Sequence, residues 1–150
     1  MEIIELNRDE IKSYNTAVAL GNFDGIHIGH QYLIKDNIDK ARERNLKSAV
    51  LLFKNHTRML LDSKENSNIK ILTSYDQKLK FLKSLGVDLV YVIDFNESLM
   101  RLSPEEFVND ILLKMVNAKL VTVGFNYRFG FKASGDSKYL ERIGKLKGFE

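Results

Sequence analysis

Four short β-prone runs alternate with helix-length amphipathic segments along this chain, and that alternation limits the possible folds more than any other feature of the sequence. The runs cover residues 16–23, 48–53, 88–95 and 118–125. Residues 30–45 place Leu33, Ile34, Ile38 and Ala41 on one helical face. Ser74 and Gln77 form a capping box ahead of Leu79, Leu82 and Leu85, and Gly86 supplies the stop. Ser103, Pro104 and Glu106 combine an N-cap, a proline at the first helical position and a capping glutamate; Phe107, Ile111 and Met115 continue that helix. Residues 137–147 predict a last helix that ends at Gly148. Residues 55–68 are polar and irregular, and residues 126–136 form a second glycine-containing loop. Strands that alternate with helices of this length imply parallel strands joined by right-handed crossovers. The expected fold is therefore α/β, an open doubly wound parallel sheet. In such sheets ligands bind beyond the carboxyl ends of the strands, near the switch in strand order. The loops after the first and fourth runs are the places to look.

Composition narrows the function. At 150 residues the chain has the size of one domain, and 44% hydrophobic with 29% charged residues suits a packed globular core. It has no cysteine, which excludes disulfides, thiolate nucleophiles and cysteine-based zinc sites. Residues 1–10 are acidic and poor in apolar side chains, unlike a signal peptide. The apolar runs 49–53 and 89–93 are too short to span a bilayer, so a cytoplasmic, soluble protein with no membrane contact is expected. The net charge of +3 suits an anionic small molecule better than nucleic acid.

The loop after the first run carries the chemistry. It reads Gly21-Asn22-Phe23-Asp24-Gly25-Ile26-His27-Ile28-Gly29-His30. His27 and His30 are three residues apart and share one face of a helix start. Gly25 permits a sharp turn, and Gly29 leaves room for a close ligand. Two imidazole donors, bare backbone and a helix N-terminus together make a polyphosphate cradle. The glycine spacing is neither that of a Walker loop nor that of a dinucleotide fold, and no Gly-Lys-Ser/Thr follows. The plainer alternative is that both histidines only cap the helix. Zinc would need a third ligand, and His56 is the only other histidine.

This stretch resembles the His-x-Gly-His signature of the nucleotidylyltransferase superfamily, which class I aminoacyl-tRNA synthetases share. Its longer form is similar to the FMN adenylyltransferase (FAD synthetase) module of the bacterial bifunctional riboflavin kinase/FAD synthetases. Further similar stretches follow in order: Leu72-Thr73 with Lys78; Leu85-Gly86-Val87-Asp88; Leu102-Ser103-Pro104-Glu105-Glu106-Phe107; Val123-Gly124-Phe125-Asn126-Tyr127-Arg128-Phe129-Gly130; and Gly135-Asp136. The resemblance implies a Rossmann-like nucleotidylyltransferase fold and the conversion of ATP and FMN to FAD and pyrophosphate, with magnesium accompanying ATP. It implies that His27 and His30 are catalytic, and that Gly21, Phe23, Asp24, Gly25, His27, Gly29 and His30 hold ATP. His56, Asn126 and Phe129 are implied to hold the flavin. Asp24 either orients the loop, reaches magnesium through water, or simply serves the turn. Phe129 can equally belong to the core, and Arg128 and Lys132 lie where they can meet phosphate.

Two departures from the family pattern stand out. The family's Phe-x-Pro-His-Pro becomes Phe53-Lys54-Asn55-His56-Thr57, without either proline, which predicts a looser loop. A Ser-Ser/Thr-x-x-Ile-Arg motif expected after a fifth strand does not occur, and the sequence stops at Phe149-Glu150 where that strand should begin. Residues 1–150 are accordingly expected to form one adenylyltransferase domain that lacks its C-terminal part, with the natural chain continuing into a riboflavin kinase domain. The alternatives are another small-molecule nucleotidylyltransferase, a fragment of an aminoacyl-tRNA synthetase, and a non-catalytic nucleotide- or flavin-binding module.

Overall fold

The computed structural model describes residues 1–6, 14–54 and 74–150. Its centre is a five-stranded, fully parallel sheet in the order β1-β4-β3-β2-β5. The strands are β1 (Glu2–Glu5), β2 (Thr16–Leu20), β3 (Lys47–Phe53), β4 (Leu89–Ile93) and β5 (Ala118–Val123). Helix α1 (Ile28–Glu43) joins β2 to β3, and α2 (Tyr75–Leu85) leads into β4. A short α3 (Glu97–Met100) and α4 (Pro104–Glu106) follow, and α4 runs on as a π-helix over Phe107–Met115 before β5. The hairpin of β6 (Arg128–Phe129) and β7 (Gly135–Asp136) precedes the last helix, α5 (Ser137–Lys147).

Each strand has side chains that point to opposite faces of the sheet. Ala19, Val50, Leu52, Val90 and Val92 meet Ile34 and Ile38 of α1 and Leu82 of α2. Val18, Leu20, Leu51, Tyr91 and Ile93 meet Phe107, Val108, Ile111, Leu112 and Met115 of the π-helix and Leu140 of α5. The result is the expected α/β arrangement, a parallel sheet covered on both faces. From β2 the order runs through β3 and β4 on one side and jumps to β5 on the other. The crevice that this switch creates lies beyond Leu20 and Val123, which are register partners.

Local signals placed most elements. Both capping boxes form: Gln77 N donates to Ser74 Oγ at 3.2 Å, and Glu106 N donates to Ser103 Oγ at 3.1 Å. Gly86 and Gly148 take the left-handed C-cap conformation, with φ of 90° and 84°.

Four expectations need correction. A strand precedes residue 16: β1 has only four residues, and its ladder with β4 decides its conformation. The first run stops at Leu20, because Phe23 turns into the left-handed region. Helix α1 begins at Ile28, two residues before the expected start, because His27 caps it. Phe107, Ile111 and Met115 lie on a π-helix, where the sequence spacing had predicted an α-helix.

The chain's last residue lies beside β5. Glu150 N donates to Lys119 O at 3.1 Å, and Val121 N donates to Glu150 O at 2.6 Å, the pattern of a parallel ladder.

A buried asparagine ties α1 to the two strands that flank the switch. Asn37 Nδ2 donates to Ala17 O of β2 at 2.9 Å, and its Oδ1 accepts from Thr122 Oγ1 of β5 at 3.0 Å. Asn37 is 1% exposed, so neither group can turn to water instead. Asn37→Ala should therefore lower stability by ~1–3 kcal/mol, the usual cost of breaking a buried polar pairing. A urea melt measures this, and an unchanged midpoint would show that the asparagine carries no weight.

Candidate active site

The first loop is held by a strained aromatic residue. Phe23 has φ 51° and is 0% exposed. The left-handed conformation costs a non-glycine residue ~1–2 kcal/mol. Full burial of a phenylalanine ring contributes ~1.5–3 kcal/mol, enough to offset it. The ring lies beneath Gly21, where a Cβ would come within 3.1 Å of Phe23 Cζ. Gly25, at φ 63°, makes the second turn that the sequence foresaw. The chain then enters α1.

His27 is the N-cap of that helix. Its Nδ1 accepts from Gly29 N at 3.0 Å, which leaves Nε2 as the donor of the neutral ring. His27 stacks on His30 with ring centroids 3.8 Å apart and an interplanar angle of 19°. His30 in turn meets the Phe23 ring edge-on at 5.5 Å. So the capping reading and the donor reading of His27 are compatible: one nitrogen caps and the other is exposed. Gly29 serves this arrangement in a way that sequence did not reveal. A Cβ there would lie 2.9 Å from His27 Cε1, so the missing side chain makes room for His27 itself.

Burial, first, pushes the pKa of His30 below its ordinary value, and the neighbouring His27 and Lys78 push the same way; Asp24 opposes them. His30 Nδ1 is buried and has no hydrogen-bond partner among the described residues.

The second loop stands across the crevice. Tyr127 N donates to Gly124 O at 3.1 Å, which closes a turn with Phe125 and Asn126 at its exposed tip. Gly130, at φ 78°, lies so close to Pro104 that a Cβ would sit 2.9 Å from its Cγ. Phe131 N donates to Leu102 O at 2.8 Å. The loop is thus pinned to the start of α4. Phe129 is only 7% exposed and packs against Phe107 at 5.3 Å, Tyr127 at 5.8 Å and Tyr139 at 6.0 Å.

The two loops enclose a cleft of about 820 Å³. Gly21, Phe23, His27, Gly29, His30, Asn126 and Phe129, all named from sequence, line it. Phe23 and Phe129 do so as buried walls, and Phe129 belongs to the core as well. Asp24 and Gly25 sit in the first loop outside the lining, and the charge of Asp24 acts on both His30 and Lys78. His56 lies outside the described residues, as does the loop expected at residues 55–68. Arg128 lies 3.9 Å from Asp136, and the Lys132 ammonium lies over the Phe131 ring.

Sequence reasoning missed the other aromatic walls, Phe53, Phe95 and Phe107. Each falls at or beside a strand or helix end; Phe53 and Phe107 also stand in stretches compared with the family, but none was assigned to the cleft. It named Lys78 within a family-like stretch but gave it no site role; its Nζ donates to Asn22 O at 3.2 Å.

A Rossmann-like α/β domain, with its ligand cleft at the switch between β2 and β5, is the class that this fold and site define. The FAD synthetase family matches residues 9–150, and the chain belongs to that family. It is 35% identical over 136 residues to the bifunctional riboflavin kinase/FMN adenylyltransferase of Buchnera aphidicola subsp. Schizaphis graminum, covering 91% of this chain and 43% of the relative. Identity to the protein of the same name from Listeria monocytogenes is 37%, over 87% of this chain and 41% of the relative. For Escherichia coli K12 the identity is 31%, over 96% and 45%. The chain thus spans less than half the length of these relatives. A solved structure described as a macrolide-efflux protein from Streptococcus pneumoniae superposes with a TM-score of 0.78 at 27% identity, covering 95% of this chain and 47% of that one. No helix among the described residues is long and apolar enough to cross a membrane.

The histidine pair generates a pH dependence. The lowered pKa of His30 means that the folded chain resists protonation where the unfolded chain, near pH ~6.5, accepts it. Stability should therefore fall as the pH drops through about 6.5, because the unfolded state then binds more protons than the folded one. His30→Gln should flatten that part of the profile. Parallel profiles for the two proteins in thermal melts would show that His30 titrates as it does in the unfolded chain.

Proposed function

We propose that this domain transfers AMP from ATP to FMN, giving FAD and pyrophosphate. The observation that carries the reading is the stacked His27–His30 pair at the N-terminus of α1, which opens on the same aromatic-walled cleft as Asn126. Membership of the FAD synthetase family supports it. An FMN phosphate oxygen attacks the α-phosphorus of ATP in line, the bond to the bridging oxygen breaks, and pyrophosphate leaves. No covalent enzyme intermediate is needed. His27 and His30 donate to phosphate oxygens whose charge rises in the transition state, and the free N–H groups of α1 add to that field. Asn126 and the Phe129 wall serve the flavin side, together with His56.

No cluster of three His, Cys, Asp or Glu side chains among the described residues can hold a metal ion. That donor set fits a magnesium ion carried mainly by the nucleotide's own phosphates, with Asp24 as the carboxylate of the first loop that could reach it through water. Magnesium bound in this way would neutralise phosphate charge. The relatives' names pair adenylyl transfer with riboflavin kinase, and the same pairing is proposed here: an adenylyltransferase domain, residues 1–150, that works beside a kinase domain in the cytoplasm.

His27→Asn keeps a side chain able to cap α1 and removes the imidazole. It should reduce FAD formation by about 10²–10³-fold, the usual effect of losing one preorganised donor, with little change in melting temperature. Wild-type activity in this variant would remove His27 from the chemistry. Asn126→Ala should raise the KM for FMN more than the KM for ATP; equal increases in the two constants would count against a flavin-side role. Binding of both substrates by the wild-type chain without release of pyrophosphate would leave a non-catalytic binding module.

A further inference from the structure

We propose that the Lys78 ammonium is a third phosphate-holding group of this site, beside His27 and His30. The proposal rests on the adenylyltransferase reading and adds a residue to it. Lys78 lies in the first half of α2, on a different element from the histidine loop. Helix α2 nevertheless delivers its Nζ to Asn22 O at 3.2 Å, across 56 residues of sequence. Asn22 stands between Gly21 and Phe23 and lines the cleft.

A lysine on a helix surface ordinarily extends into water. This one is half-buried against a peptide carbonyl. A carbonyl accepts one of the three N–H donors and has no net charge of its own to neutralise the ammonium. Burial pushes the Lys78 pKa down, and Asp24 pulls it the other way. The same electrostatics reach His30, where burial, His27 and Lys78 disfavour the charged ring and Asp24 favours it. Three groups able to carry or donate a proton therefore converge on one loop, and Asp24 is the carboxylate that their electrostatics register. A polyanion would complete this arrangement. Phosphoryl oxygens are the shared chemistry of the two substrates, since ATP brings a pyrophosphate leaving group and FMN brings its own phosphate.

The test titrates the purified protein and its Lys78→Met and Lys78→Arg variants with inorganic pyrophosphate, FMN and riboflavin by calorimetry. In Lys78→Met the dissociation constant for pyrophosphate should rise at least about tenfold, and Lys78→Arg should recover most of the loss. A similar loss for FMN, with riboflavin binding unchanged, would support the same group acting on the acceptor's phosphate. Unchanged affinity for both phosphate ligands would overturn the proposal. So would loss of riboflavin binding in step with FMN, because Lys78 would then be a structural clasp for the Asn22 turn. Should Lys78→Met fail to fold, Lys78→Gln serves in the same titrations. A wild-type protein that forms no FAD from FMN and ATP would sink the adenylyltransferase reading itself; an active wild type with unaltered phosphate affinity in the variant would sink this inference alone.

Discussion

The parallel pairing of β2 with β5 is the contact on which the rest of the structure depends. It joins segments about one hundred residues apart in sequence, from Thr16 beside Ala118 to Leu20 beside Val123. Side chains reinforce it at both ends. Thr16 Oγ1 donates to Val116 O at 2.9 Å, and Asn37 bridges Ala17 and Thr122. Because both strands run the same way, their carboxyl ends open on the same side, and the histidine loop and the aromatic loop become neighbours. Without this pairing each loop would be a short turn with no counterpart, and the cleft would not exist.

Within the cleft, apolar packing sets the geometry of polar groups. Phe23 takes an unfavourable backbone conformation, and the burial of its ring holds it there. That ring supports His30, which stacks on His27, whose Nδ1 is committed to Gly29 N. Each imidazole is thus fixed before any ligand arrives, which is the condition under which hydrogen-bond donors lower a barrier without reorganising. On the far side Pro104 and Leu102 fix the second loop through Gly130 and Phe131. The cost of this design is electrostatic. Burial first, and then the close imidazole of His27 and the half-buried lysine beside the same loop, make His30 favour its neutral form.

Much of this was legible in the sequence, because many of its signals act over a few residues. The capping boxes at Ser74 and Ser103 and the left-handed stops at Gly86 and Gly148 are settled by neighbours within one helical turn. The α/β class follows from the alternation of strand-length and helix-length segments. The histidine pair at the mouth of α1 follows from a spacing of three residues. The resemblance of the loops to the FAD synthetase modules carried the assignment of roles, and the family match agrees with the resemblance itself.

Other features were decided only in three dimensions. Strand β1 is too short to declare itself and takes its form from its ladder with β4. Phe129 was ambiguous between flavin wall and core; packing against Phe107, Tyr127 and Tyr139 makes it core while one face still lines the cleft. Gly29, expected to leave space for a ligand, lines the cleft and also leaves space for His27. Lys78 stood in a family-like stretch without an assigned role, and its ammonium meets Asn22 only in the fold. The sequence by itself determined the local conformations, the α/β class and the histidine pair at the start of α1, because backbone preferences and capping hydrogen bonds reach only a few residues along the chain. The tertiary structure decided which loops face each other, which rings are walls and which charges share a field, because those outcomes are sums of many weak contacts between segments far apart in sequence.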